Sequence, residues 1–269
     1  MADPRSATVT SESTPLPILM YHSVPADGDG TPLAVPRARV REQWRALVAD
    51  GWRLAGVTEA LTARDRDPNA RIVALTFDDA LDDFDAVPDL LAEVGGSATV
   101  YVPTALVGRT AESMRYAGSV LDWARLEALP ESVEIGSHGH RHLPLDLFGR
   151  RPLARELRLS AELLQQHLGR RPVSFCYPHG YAGRSTRQAV RDAGFSSACV
   201  IGRRLARPGV DDPLALPRLH VLPEHDAAAI VAAVRADRTP LAARVRDALQ
   251  PGWRLARRSV YRTTRVVLT

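Results

Sequence analysis

The chain predicts an α/β fold of parallel strands joined by helical crossovers, and three observations carry that expectation. Short apolar runs alternate with amphipathic segments of helical period along most of the length. That order requires crossover connections, and so either an open doubly wound sheet or a closed barrel. Seven or so runs suit strands, which favours the barrel. The polar clusters also all follow strand-like runs, as the chemistry of barrel enzymes follows the C-terminal ends of their strands.

Residues 1–14, rich in Ser and Thr with few apolar side chains, read as a disordered leader. Ile18-Leu19-Met20-Tyr21 suits a buried strand near the start of a single domain spanning 15–224. A Gly-, Pro- and Asp-rich loop at 27–36 leads into a helix over 37–50, where Val40, Trp44, Leu47 and Val48 recur at helical spacing and Gly51 is the stop. Strands are expected at 72–77, 98–102, 133–136, 173–177, 197–201 and 216–221. Helices are expected at 82–94, 119–129, 153–168 and 185–193, the last ended by Gly194. The remainder, 225–269, reads as a basic helical C-terminal extension.

At 269 residues, 45% hydrophobic and 25% charged, the chain has enough apolar material for a sizeable core. No basic stretch followed by an apolar one opens the sequence, so the expectation is a cytoplasmic protein made without a signal peptide, monomeric or dimeric. Cys176 and Cys199 each lie in an apolar run, where a free buried thiol is usual. The net charge is +4, yet 238–269 holds eight arginines and one acid, Asp247, so the rest is slightly acidic and nucleic acid is not an expected partner. In 251–269, Arg254, Arg258, Arg262 and Arg265 recur at helical spacing opposite Trp253, Ala256, Val260 and Val267. Such a helix suits an anionic membrane surface, at the inner face in a cytoplasmic protein; it equally suits docking on the barrel with solvated arginines.

Two segments carry the chemistry: Ala74-Leu75-Thr76-Phe77-Asp78-Asp79, and Gly136-Ser137-His138-Gly139-His140-Arg141-His142. Adjacent strand residues point to opposite faces, and two neighbouring half-buried carboxylates need a compensating charge or different roles. His138 and His142 have ligand-like spacing. Joined to the Asp pair they make a two-His, one-carboxylate metal site with open positions for water, one Asp binding the metal and the other free to take a proton. Asp82 and Asp85 read instead as acids at the positive end of the next helix.

These residues resemble the polysaccharide deacetylases, the NodB-homology group of carbohydrate esterases. Thr76-Phe77-Asp78-Asp79 looks like their first motif, and Ser137-His138-Gly139-His140-Arg141-His142 like their second. Leu19-Met20-Tyr21-His22-Ser23-Val24 and Phe175-Cys176-Tyr177-Pro178-His179-Gly180 are similar to the exopolysaccharide poly-N-acetylglucosamine deacetylase branch. The resemblance implies a distorted (β/α)7 barrel. It also implies that Asp79, His138 and His142 bind a divalent metal, usually zinc with cobalt, nickel or iron as alternatives, and that Asp78 is the general base. The backbone N–H of His179 would help hold the oxyanion. The implied reaction removes N-acetyl groups from an acetamido sugar or polysaccharide, free or lipid-linked. A non-sugar amide, an imide, an O-acetyl ester or a non-catalytic glycan-binding role stays open.

The departures from the family pattern set further expectations. Ala80 stands where the first motif usually continues with Gly, and Cys176 where many relatives carry a base-orienting Arg. Arg218, in Leu216-Pro217-Arg218-Leu219-His220, could take over by pairing with Asp78, or could be a surface residue. His220 is a candidate general acid if it faces inward, with His22 and His179 as other donors. Tyr116, Trp123, Tyr177 and Tyr181 could stack on a sugar, with His22 and Pro178 beside them, although the helical patterns around Trp44 and Trp123 suit core packing.

Overall fold

The structure, a computed structural model, describes residues 14–28, 31–111, 118–236, 252–253 and 260–261. Its frame is a closed ring of seven parallel strands: β1 (Ile18–Tyr21), β3 (Ile72–Phe77), β4 (Ala98–Val102), β5 (Val133–Ser137), β6 (Ser174–Cys176), β7 (Ser197–Ile201) and β8 (Leu216–His220). β1 closes the ring by pairing with both β3 and β8. A short strand, β2 (Arg53–Ala55), pairs only with the first half of β3, and β4 takes over the same edge from Thr76 onward. That wedge distorts the barrel.

Registers and alternation decide which side chains fill the bore. Leu16, Ile18, Ile72, Ala74, Tyr101, Cys176, Cys199 and Leu216 form one interior cluster. The alternate residues Leu19, Tyr21, Leu75, Phe77, Val100 and Val102 pack outward with Val40, Trp44 and Leu47 of α1 (Arg37–Ala49), Leu90 and Leu91 of α3 (Val87–Val94), and Ile230 and Val234 of α7 (Ala227–Arg235). On the opposite flank Phe175, Tyr177 and Ala198 meet Leu153, Leu157 and Ala161 of α5 (Arg150–Leu168) and Val190 of α6 (Arg184–Asp192). Gly136, paired with Tyr101 across β4 and β5, must lack a side chain, since a Cβ there would lie 2.5 Å from the Tyr101 ring. That ring is fixed in the bore by a 2.8 Å contact between its hydroxyl and Ser174 Oγ.

Several elements differ from the sequence expectation for identifiable reasons. β2 and α2 (Val57–Arg66) were not anticipated: a three-residue strand carries no period, and α2 buries only Val57, Ala60 and Arg64. The 82–94 helix is two pieces, a 3-10 turn at Asp82–Ala86 and then α3, because Pro88 has no N–H to continue the ladder. Most of 119–129 is not helical. Ser119 and Val120 bridge Thr110, Val107 and Leu81, and only α4 (Trp123–Glu127) forms, after Asp122 caps it by accepting from Arg125 N. Past residue 224, α7 still packs on α1 and the core. The leader to residue 13 and all of 251–269 except Gly252, Trp253, Val260 and Tyr261 lie outside the described residues. Among those described, no helix is long and apolar enough to cross a membrane.

Candidate active site

β3 delivers Asp78 and Asp79 at its C-terminal end, both buried. In an extended strand they would face opposite ways, but Asp79 and Ala80 adopt left-handed backbone, φ 73° and 50°, which folds the chain back so that both carboxylates face the mouth. Glycine makes such a turn without strain, so Ala80 keeps it at a steric cost. His142 and His179 are also left-handed, φ 53° and 61°. Backbone strain of this kind persists where surrounding structure holds it and gathers at functional sites.

Asp79, His138 and His142 converge on one point. Asp79 Oδ1 is buried and takes no hydrogen bond, yet it faces His142 Nε2 at 3.1 Å and His138 Nε2 at 3.4 Å. His138 Nδ1 lies 2.9 Å from the Cys176 carbonyl oxygen, which can only accept, so that nitrogen carries the proton and Nε2 presents a lone pair to the carboxylate. A lone pair aimed at a buried anionic oxygen calls for a cation between them. The three residues therefore fit a divalent metal, with the Cys176 carbonyl fixing the orientation of His138. Burial pushes His138 down to about 4 and keeps it neutral. For His142 burial acts the same way, but the Asp79 charge outweighs it and the net shift is upward. Asp79 is lowered to about 2, burial's upward push being overcome by the two histidines.

Asp78 has different partners. Arg218, 1% exposed inside the barrel, donates from Nη1 and Nη2 to its two oxygens at 2.7 Å each. The other guanidinium donors reach Thr76 Oγ1 at 3.0 Å, Cys176 Sγ at 3.1 Å and the Val200 carbonyl at 3.4 Å. Thr76 passes its own proton to the Leu19 carbonyl. Burial alone would raise the Asp78 pKa, but Arg218 holds it well below the usual carboxylate range. Cys176, 3.5 Å from both Asp78 oxygens, is small enough to leave room for the guanidinium that crosses from β8. Both cysteines are buried and free.

Arg218, Leu219 and His220 alternate along β8, with Leu219 packed outward and Met20 of β1 paired with His220. His220 thus faces the mouth, its ring 5.6 Å from that of His22, and His22 Nε2 lies 3.9 Å from Asp78 Oδ2. On the other side the His142 and His179 rings are 5.0 Å apart. Tyr177 is a correction: it is 1% exposed, its hydroxyl donates to the Leu214 carbonyl, and its ring packs on Phe175, so it cannot stack on a sugar. Alternation places it outside the bore, as the strand period requires. Pro178 is buried beside Gly139, whereas Tyr181 is half-buried at the rim. Trp123 stacks on His167 near the C-terminal end of α5, away from the mouth. Tyr116 lies outside the described residues. The contacts of Cys176 and Thr76 with the Asp78–Arg218 pair escaped sequence reading, and only the inward period of β3 and β6 could have signalled them.

The polysaccharide deacetylase family model matches residues 65–198, which hold Asp78 and all three residues of the metal group, Asp79, His138 and His142. The chain belongs to that family. The polysaccharide deacetylase fold recurs in solved structures: Streptococcus pyogenes deacetylase PplD in complex with acetate matches with a TM-score of 0.73 at 21% identity, over 83% of this chain and 100% of that one. IcaB from Ammonifex degensii matches with 0.69 at 23% identity, over 84% and 99%. The deacetylase domain of BpsB from Bordetella bronchiseptica matches with 0.62 at 19% identity, over 78% and 96%. No curated protein matches the sequence.

The buried histidines give this polysaccharide deacetylase domain an acid weakness. His22 is lowered by burial, and His220 is lowered by burial to about 3. Between about pH 6.5 and 3 the unfolded chain binds a proton at His220 that the folded chain refuses, so stability falls as pH falls, by about 1.4 kcal/mol per pH unit at full slope. Urea unfolding of metal-free protein from pH 7.5 to 4.5 should show this decline, and His220→Asn should remove about one proton from the slope. An unchanged slope would show that His220 titrates normally in the folded state.

Proposed function

We propose that the chain is a metal-dependent carbohydrate N-deacetylase that hydrolyses the acetamide of an acetylated sugar or glycan. The observation carrying this reading is the division of labour between two adjacent aspartates: Asp79 joins His138 and His142 in a donor set, while Asp78, which also lies within reach of His138 and Cys176, is held by a bidentate pair with Arg218. A glycan-binding protein has no use for a second, separately oriented carboxylate. Membership of the polysaccharide deacetylase family and the deacetylases among its structural neighbours support the reading.

A divalent cation, zinc by preference, held by Asp79, His138 and His142 would lower the pKa of a water toward about 7 and polarise the acetamide carbonyl. Asp78 accepts the proton of the attacking water. Because Arg218 keeps it a weak base, Asp78 does not retain that proton, which passes toward the leaving amine. His22 stands next to Asp78 and His220 next to His22; burial disfavours the charged form of both, so they can relay that proton toward the amine but do not store one. The backbone N–H of His179, in the left-handed turn across from them, is the oxyanion donor. The amide C–N bond breaks, giving acetate and a free sugar amine.

Chelator-treated protein should release no acetate from N-acetylglucosamine oligomers, and one equivalent of zinc should restore release. His138→Ala should lower bound zinc well below one equivalent by elemental analysis. Full zinc loading of that variant would remove His138 from the ligand set, and release from an O-acetyl ester but not the amide would redirect the chemistry to esters.

A further inference from the structure

The loops after β5 and β6 meet over the candidate metal centre and then run outward to the first turns of α5 and α6. α5 opens with Arg150 and Arg151, both exposed, and among the described residues neither pairs with a carboxylate. The first turn of a helix is its positive end and ordinarily carries acids, so two arginines there add to the charge instead of balancing it. Beside them, running down between α5 and α6, lies a groove of about 840 Å³ in which Leu153, Ala154 and Ala189 are flanked by Arg158, Glu162 and Asp192.

The same two loops hold the described part of the C-terminal tail. Trp253 donates its indole N–H to the Tyr181 hydroxyl at 3.3 Å and is 41% exposed. The Tyr261 ring lies 6.1 Å from that of Phe148, two residues before Arg150. Residues 252–269 contain Arg254, Arg257, Arg258, Arg262 and Arg265 and no acid. The catalytic mouth, two arginines without a carboxylate partner among the described residues, the upper end of that groove and the two described contacts of a basic tail therefore lie on the same side of the barrel.

We propose that this side of the barrel docks on an anionic phospholipid bilayer, turning the mouth toward the membrane so that the acetylated sugar it takes is one carried at that surface. The identity of the mouth rests on the deacetylase reading; the docking does not. Arginines supply attraction to anionic headgroups, while the exposed indole of Trp253 suits the headgroup boundary, where rings with one polar edge collect. A soluble polyanion would use the arginines but not the indole.

The test is sedimentation of the full chain with vesicles of phosphatidylcholine alone or mixed with phosphatidylserine. Vesicles hold no acetamide, so this result and that of the acetate-release assay fail independently. Binding should require phosphatidylserine. Arg150→Gln with Arg151→Gln, and separately Gln at the five tail arginines, should each weaken it, by about fivefold per arginine. Brominated lipid should quench tryptophan fluorescence, and Trp253→Phe should abolish the quenching, because Trp44 and Trp52 are 0% and 8% exposed and Trp123 is stacked on His167. Unchanged unfolding midpoints establish that the variants fold. Equal binding to neutral vesicles, or none to either, overturns the proposal. Loss with the tail variant alone reduces the tail to a tether and overturns the facing of the mouth, and full displacement of vesicles by dextran sulfate without quenching assigns this side of the barrel to a soluble polyanion.

Discussion

Asp78→Asn should lower acetate release by about 10²- to 10⁴-fold, the usual contribution of a positioned general base, while zinc stays bound at one equivalent. The retention of metal follows from geometry. Asp78 contributes no atom to the group formed by Asp79, His138 and His142, and its two oxygens are already occupied by Arg218. Asp79→Asn should do the opposite first, because removing the anionic member of the donor set costs metal affinity and takes activity with it. The two neighbours are thus separable by one pair of measurements, elemental zinc and acetate release. Loss of zinc from Asp78→Asn would merge their roles and remove the argument for a dedicated base. Asn can still accept a hydrogen bond from Arg218 but cannot neutralise it, so the variant should also unfold at a lower temperature, and its activity must be read below that midpoint.

The parts of this site that follow from chain period were legible in the sequence, and the parts that depend on three-dimensional crossing were not. His138 and His142 are close in sequence, and the strand-like run before Asp78 is continuous, so their placement at the C-terminal face needed only alternation and the barrel rule. The seven-strand count of the ring likewise expresses repeated strand–helix units, whereas its registers and the wedge of β2 come only from the structure. The rotation that brings Asp78 and Asp79 to the same mouth was not legible, because it depends on left-handed backbone at Asp79 and Ala80, a conformation that neither residue type announces. Tyr177 shows the converse error. It looked like a stacking platform because it lies between Cys176 and Pro178 in a site motif, but neighbours in a strand face opposite ways, and the bore belongs to Cys176. The Asp82 run was legible in charge and not in shape: Pro88 divides that segment, and Asp82 accepts from Ser119 N and Oγ instead of decorating a continuous helix.

Arg218→Met should be the most damaging single change in the barrel, destabilising it by about 3–5 kcal/mol, because it leaves a buried carboxylate without its counter-charge. At about 2–4 °C per kcal/mol that is a fall of roughly 10 °C in unfolding midpoint, readable by calorimetry. The catalytic consequence has a sign that a purely structural role would not give. In the native site burial drives the Asp78 pKa up and Arg218 drives it down, with Arg218 prevailing. Without the guanidinium the upward push of burial is opposed only by the weaker pull of His138 and His22, so the Asp78 pKa should rise and the carboxylate should be protonated at higher pH than in the parent enzyme. The acid limb of the pH–rate profile should therefore move to higher pH, and the variant should recover activity as pH rises. Arg218→Lys should recover part of the stability by restoring charge, and less of the rate, since a single ammonium cannot grip both Asp78 oxygens, Thr76 and Cys176 at once. An Arg218→Met enzyme whose acid limb stays in place would reduce Arg218 to packing and leave the orientation of Asp78 to His22 and the turn at Asp79.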